Sequence, residues 1–384
     1  MTHFSAQEPA LGYYYQIRYG LMLILMDEEE NDISLSFETL DDIVIENINS
    51  TDLYQTKYHT NRKANLTDRS TDLWKTIRVW SEEIYNGQID VDNGYFTLIT
   101  TEKLPSTNIF QKLAEKKLSI KQTIDELNSI ASETSNATNL LGYKAFNRLS
   151  VYQKMKLIEK IKILDSSLDF SDIEKEIKKK LRLTVEPLHL DSLFERLEGW
   201  WFRESIIQLK NTTSKLIKFS DVQTKILDIT DQLKADNLPI DFYSHINISE
   251  SEFISLSKKV FVKSLNRIGL GKSSLKNSIS DYLRTFKQRS LWIREDLLNP
   301  HDEQRYESGL VSDWRTKYTF LLEEIDGKTT DELKELGKFF YKKHYIDSIP
   351  QIYIRPRVTD PFLVRGSYHI LADKEQVRWY PIKD

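Results

Sequence analysis

The chain reads as a small mixed sheet flanked by helices, an α/β core, followed by a mainly α-helical C-terminal domain with a short extended tail. Over roughly the first hundred residues, short β-branched segments alternate with dense apolar stretches of helical spacing. From Asn108 onward the apolar spacing becomes helical throughout. With 384 residues and 40 % hydrophobic content, the chain has material for two or three cores at about 150 residues per domain.

Leu11 to Met26 is a dense apolar run ending in acidic residues, which predicts a mostly buried helix. Leu35 to Phe37, Ile43 to Ile45 and Leu53 to Lys57 are short segments parted by polar residues, and they predict strands of one sheet. Leu73, Ile77, Trp80 and Ile84 share one helical face, with Gly87 as the stop. Tyr95 to Thr100 reads as a buried strand, which closes a core of about residues 11–105. Helices are predicted over Asn108 to Glu115, Ile120 to Ser132, Val151 to Leu164 and Ile173 to Arg182. Beyond Val185 they run over Leu190 to Lys210, Ser220 to Leu233, Glu250 to Leu265, Lys272 to Leu298, Gln304 to Glu324 and Thr330 to His344. The last stretch, with Ile352 to Arg355, Arg357 to Val358 and Val377 to Tyr380, reads as extended around Pro356, Pro361 and Gly366. The boundary is placed at Glu186-Pro187, giving domains 1–185 and 186–384.

Composition excludes several classes. The absence of Cys removes disulfides, thiolate zinc sites, iron–sulfur clusters and cysteine nucleophiles, and fits a reducing cytoplasm. The longest apolar run, Tyr19 to Met26, falls short of the roughly 20 residues that cross a bilayer, and Met1 to Phe4 carry no charged export region. A cytoplasmic protein without membrane contact is therefore expected. The formal charge of -4 leaves no chain-wide basic surface for nucleic acid, so any such binding is local. Residues 1–50 hold ten acids and one base, Arg18, whereas residues 51–80 hold six bases and three acids. That reversal is what a metal site beside a polyanion groove needs, although internal charge pairing is the commoner reason for it.

The informative constellation is Glu38, Asp42, Gln55 and Lys57. On adjoining strands Asp42 and Gln55 can converge, and Gln55 and Lys57 share a sheet face by alternation. A carboxylate, an amide oxygen and a backbone carbonyl, that of Thr56, form a hard-oxygen shell suited to Mg²⁺ or Mn²⁺. Lys57 beside it can orient a water and offset charge on the transition state. Glu38 reads equally as a second metal ligand or a surface helix-cap partner. Alternation turns Asp41 away into solvent. His59 is either a phosphate contact or a rim histidine, and Gln16 either reaches the site or satisfies a backbone group. Gly269-Leu270-Gly271-Lys272-Ser273 lacks the first glycine and preceding strand of a phosphate loop, so ATP binding is rejected.

Asp42 with Tyr54-Gln55-Thr56-Lys57 resembles the PD-(D/E)XK nuclease superfamily in a Gln-x-Lys variant. More narrowly, Gly12-Tyr13-Tyr14-Tyr15-Gln16, Phe37-Glu38-Thr39-Leu40-Asp41-Asp42-Ile43, Leu73-Trp74-Lys75-Thr76-Ile77 and Phe96 to Thr100 are similar to the Cap-four type of double-stranded DNA endonuclease domain of bacterial defence effectors. Arg196-Leu197-Glu198-Gly199-Trp200-Trp201, Leu238 to Phe242, Gln288 to Leu297, Arg305-Tyr306-Glu307, Tyr353 to Val358 and Arg365 to Asp373 resemble the C-terminal domain of ABC-three-component systems. The pair resembles the nuclease subunits of Lamassu defence complexes. That resemblance implies a metal-dependent endonuclease on double-stranded DNA, partnered by an SMC-like ATPase and a small accessory subunit. Gln55 in place of an acid lowers the charge of the site. Two opposed sites are needed to cut both strands, so a homo-oligomer is expected when active. The other class of function is a catalytically degenerate adaptor in the same kind of complex. Residues 281–384 balance eighteen bases against eighteen acids, with Trp292, Tyr306, Trp314, Phe362, Tyr368 and Trp379 as expected anchors of a partner surface.

Overall fold

A computed structural model describes residues 7–27, 32–60, 65–133, 136–210 and 216–382. Among the residues noted above, Met1 to Phe4, Glu28 to Glu30, Arg62 and Lys63 lie outside this set. The chain forms two compact units, Met1–Leu227 and Asp228–Asp384. The division falls well beyond the expected Glu186, because the long helix after that position packs on the N-terminal sheet. Among the described residues no helix is long and apolar enough to cross a membrane.

The first unit is built on α1 (Gln7–Met26), β1 (Ser34–Phe37), β2 (Ile43–Glu46), β3 (Thr51–Lys57), α2 (Thr71–Tyr85) and β4 (Gly94–Thr100). It continues through α3 (Ile109–Ala114), α4 (Ile120–Ala131), α5 (Leu140–Arg148), α6 (Val151–Lys160), β5 (Ile161–Leu164), α7 (Phe170–Leu181), α8 (Leu190–Lys210), β6 (Ile217–Lys218) and α9 (Phe219–Gln232), whose last turns pass into the second unit. The strands order as β5-β4-β3-β2-β1-β6 in one open mixed sheet. β1, β2 and β3 form an antiparallel meander, while β3, β4 and β5 are parallel. A parallel pair needs a crossover, and α2 supplies the one from β3 to β4. Its face of Leu73, Trp74, Ile77 and Trp80 buries against Leu53, Phe96 and Leu98 of the sheet and Phe146 of α5. Trp201 of α8 is fully buried, donates its Nε1–H to Ile17 O at 2.7 Å and meets Phe37 edge-on. Gln208 of the same helix accepts from Phe37 N at 3.1 Å and donates to Phe37 O at 3.3 Å.

The sheet draws on strands outside the expected core of residues 11–105. The Val151 to Leu164 segment, read as one helix, ends as helix at Lys160, and Ile161–Leu164 becomes edge strand β5. Four residues, Ile-Lys-Ile-Leu, satisfy both periods; the open edge of β4, pairing Phe96 with Ile161, selects the strand. β6 closes the other edge, Ser34 facing Lys218. Helix α5 was also not expected.

The second unit holds α10 (Glu250–Leu256), α11 (Val260–Arg267), α12 (Lys272–Arg294), α13 (Pro300–Glu323), α14 (Thr330–Tyr341), a π-helical turn Lys342–Asp347, and α15 (Pro361–Asp373). α15 corrects the extended tail. Pro361 opens it at the first turn, where a missing N–H costs nothing. Gly366, read as a breaker, is there for close approach: a Cβ would lie 2.1 Å from Thr285 Oγ1 and 2.4 Å from Asp281 O of α12. The expected partner anchors are corrected too. Trp292, Tyr306, Trp314, Phe362, Tyr368 and Trp379 are all buried within this unit. Gln288 Oε1 accepts from Asp241 N at 2.7 Å and Phe242 N at 3.0 Å, and Trp292 Nε1 donates to Pro239 O at 2.7 Å, so these motif residues are internal struts. The motif arginines are paired as well: Arg355 with Asp302, Arg357 with Asp231 and Arg365 with Asp281.

Candidate active site

The β1–β2 connection places the acids. Glu38 takes the left-handed conformation with φ of 51°, which lets the chain turn sharply, and its N–H donates to Asp42 O at 3.3 Å. Gln16, buried on α1, donates to Glu38 Oε1 at 3.1 Å and also to Asp42 O, so one amide ties both ends of the turn. The helix-cap reading of Glu38 therefore gives way to a turn position. Asp42 then points across to β3, where its Oδ2 accepts from Thr56 N at 2.7 Å and Thr56 Oγ1 at 2.9 Å. Lys57 Nζ stands 4.0 Å from the same Oδ2 and donates to Thr56 O at 3.2 Å.

Glu38, Asp42, Thr56 and Lys57 line one open cavity of about 620 Å³, together with Gln16, His59, Asp72 and Lys75. Gln55 does not line it. It lies on the same strand with 5 % exposure, past the last β2–β3 pair of Ile43 with Tyr54. Desolvation raises the Glu38 carboxyl above its ordinary range; the Gln16 hydrogen bond opposes this, and Asp42 nearby adds to the rise. The lining residues offer two carboxylates, and Thr56 a backbone carbonyl that accepts from Lys57 Nζ, hard oxygens of the kind Mg²⁺ or Mn²⁺ takes, and the second Asp42 oxygen has no protein partner among the described residues.

Asp41 is not solvated, as alternation suggested. It is 5 % exposed, accepts from Trp80 Nε1 at 2.5 Å and from Asp42 N at 2.9 Å, and so anchors the turn to α2. The residue precedes β2 in a bend, where strand alternation does not hold. Burial, then the charge of Asp42, pushes its carboxyl up to about 7. An acid whose folded value exceeds the unfolded one binds its proton more tightly when folded. Stability is therefore fully present at low pH and lost as pH rises from about 4 to about 7. Asp41→Asn keeps an acceptor for Trp80 and removes the ionisation, so it should flatten that loss, by at most about 1.4 kcal/mol per pH unit. Urea unfolding across the window checks it; an unchanged slope would refute the assignment.

His59 is neither a free rim residue nor set for phosphate alone: its Nε2 lies 2.7 Å from Asp72 Oδ2. That hydrogen bond holds the Asp72 carboxyl below the usual carboxylate range. Asp72 and Glu102 escaped the sequence reading. The available signal was position, since both sit where the parallel strands end, the usual ligand crevice of such sheets.

Residues 261–382 match the family model of C-terminal domain 7 of the ABC-three component (ABC-3C) systems. Among solved structures the chain is similar to an Acinetobacter baumannii Cap4 SAVED/CARF-domain containing receptor at 15 % identity, with 71 % of this chain and 60 % of that chain covered and a TM-score of 0.36. A Moraxella osloensis receptor of the same description gives 17 % identity, coverages of 65 % and 59 %, and a TM-score of 0.35. The chain thus spans about three fifths of the length of these structures. No curated protein sequence matches.

Proposed function

We propose that the first unit is a metal-dependent DNA endonuclease of PD-(D/E)XK type, the effector of a bacterial anti-phage and anti-plasmid defence complex. The observation that carries this reading is Lys57 Nζ at 4.0 Å from Asp42 Oδ2 at the end of β3, with Glu38 beside them in one open cavity. Asp42, Glu38 and the Thr56 carbonyl would hold Mg²⁺ or Mn²⁺, which when bound supplies Lewis-acid stabilisation of the phosphoryl oxygens. Lys57 orients a water for attack on phosphorus and places positive charge beside the oxygens that gain it. Lys75, on the same cavity wall, adds a cation for the flanking phosphates. Gln55, outside the lining, is not assigned to the metal. Breaking both strands takes two opposed sites, most simply from a homo-oligomer.

The match of residues 261–382 to a terminal domain of three-component systems supports partner subunits, which we propose are an SMC-like ATPase and a small accessory subunit. Because the sequence-expected aromatic anchors are buried, a docking face on the second unit would use exposed side chains such as Phe286, Phe320 and Phe339. The test is plasmid digestion by the purified full-length chain. Supercoiled DNA is expected to become nicked and linear with Mg²⁺ or Mn²⁺ and to stay intact with chelator. A folded chain that cuts nothing with either ion overturns the enzyme reading in favour of an adaptor.

A further inference from the structure

A second group of ligands adjoins the cavity, which two of its members, His59 and Asp72, line. His59 follows β3, Glu102 follows β4 and Asp72 lies in the first turn of α2, so three elements deliver one nitrogen and two carboxylates to one place. One ligand atom from each lies within 4.8 Å of the others. The backbone beneath them is fixed. His59 N donates to Thr101 Oγ1 at 2.8 Å, Thr101 Oγ1 donates to His59 O at 3.1 Å, and Glu102 N donates to Thr100 Oγ1 at 3.1 Å.

Glu102 is the telling residue. It is only 9 % exposed, and among the described residues no hydrogen-bond donor reaches its carboxylate. Burial raises that carboxyl, His59 opposes the rise and Asp72 adds to it. A carboxylate that lacks a protein donor, is partly desolvated and faces a second carboxylate is disfavoured as an anion unless a cation joins them. Imidazole among the ligands favours a first-row transition ion over Mg²⁺, and three protein ligands leave a coordination position open. Bonds of about 2.0–2.2 Å set tetrahedral ligand atoms about 3.4 Å apart, so the His59–Asp72 pair at 2.7 Å opens slightly while the wider separations in the group close, within reach of side-chain rotation.

We propose that His59, Asp72 and Glu102 form a binding site for a divalent transition ion, Zn²⁺ or Mn²⁺, distinct from the Asp42 oxygens. It stands whether or not the Asp42 site cuts DNA.

The test uses the untagged full-length chain, stripped with chelator and titrated calorimetrically with Zn²⁺ and with Mn²⁺. The wild type and Asp42→Asn are expected to bind one Zn²⁺ alike, while Glu102→Gln and His59→Gln weaken it by about tenfold or more. Zn²⁺ binding that vanishes in Asp42→Asn and survives both other substitutions would overturn the proposal, as would a wild type that takes up no Zn²⁺. Pulsed electron paramagnetic resonance of the Mn²⁺-loaded wild type gives a readout independent of how the variants fold. Nitrogen modulation from an imidazole ligand is expected from one of the bound ions, and its absence at a loading of two Mn²⁺ per chain, which fills the Asp42 oxygens as well, would overturn the site. Loss of DNA cleavage in Asp42→Asn with Zn²⁺ binding retained separates the two sites.

Discussion

Lys57→Ala should reduce DNA cleavage by at least about 10²-fold while leaving the chain folded. Loss of one preorganised electrostatic contact to a transition state costs about that much. The structural cost is small by comparison. The ammonium is part-exposed, 4.0 Å from Asp42, and among the described residues its direct hydrogen bond is to Thr56 O at 3.2 Å, a set worth about 1 kcal/mol or less. Asp42 keeps its two Thr56 contacts in the variant, so the oxygen shell survives and any residual metal binding should match the wild type. Lys57→Arg should restore little, because a planar guanidinium cannot occupy the position of a compact ammonium 3.2 Å from a carbonyl. The measurement is a time course of plasmid nicking at saturating Mg²⁺, with circular dichroism to check folding. Cleavage by Lys57→Ala at the wild-type rate would remove Lys57 from the chemistry and with it the nuclease assignment.

The elements whose residues carry their own period were legible in the sequence, and those that tertiary pairing decides were not. α2 announces itself through Leu73, Ile77, Trp80 and Ile84, and β4 through Tyr95 to Thr100. β5 and β6 are four and two residues long; they exist because β4 and β1 present open edges to them. Gly366 misled for the opposite reason, since a helix breaker by propensity becomes a contact surface where two helices nearly touch. In the site, placing Asp42 opposite Gln55, with Lys57 alternate to Gln55, put Asp42 and Lys57 near each other, although Asp42 stands in the bend before β2 and not on the strand. The same rule failed for Asp41, which sits in the bend before β2 and turns inward to Trp80. It also placed Gln55 in a cavity that its side chain does not line. Glu102 was invisible because its meaning depends on His59 and Asp72, which approach it only across the sheet.

The largest stability effect is expected at Trp379. Its ring is fully buried and meets Tyr341 at 5.1 Å, Tyr345 at 4.5 Å and Tyr368 at 6.2 Å between centroids, all edge-on. These partners come from the end of α14, the π-helical turn that continues it and α15, so one indole fastens the α14 end to a helix that comes later in the chain. Truncation removes the area of a whole indole and leaves a cavity that three tyrosines cannot fill by rotation, a loss of about 3–5 kcal/mol. The flanking backbone is held separately: Arg378 O accepts from Trp314 Nε1 at 2.8 Å and Tyr380 O from Tyr318 Oη at 2.9 Å. Trp379→Ala should therefore loosen the packing before it frees the strand of chain. Trp379→Phe discriminates, because the indole Nε1 is buried with no hydrogen-bond partner among the described residues and its removal relieves an unsatisfied donor. We expect Trp379→Phe to cost less than half of what Trp379→Ala does. Hydrogen exchange of the α14 and α15 amides reads the opening free energy of this unit directly. Exchange in Trp379→Ala as slow as in the wild type would show that the aromatic cluster does not hold the unit together. Equal losses in the two variants would instead show that the smaller phenyl ring cannot hold the three tyrosines together.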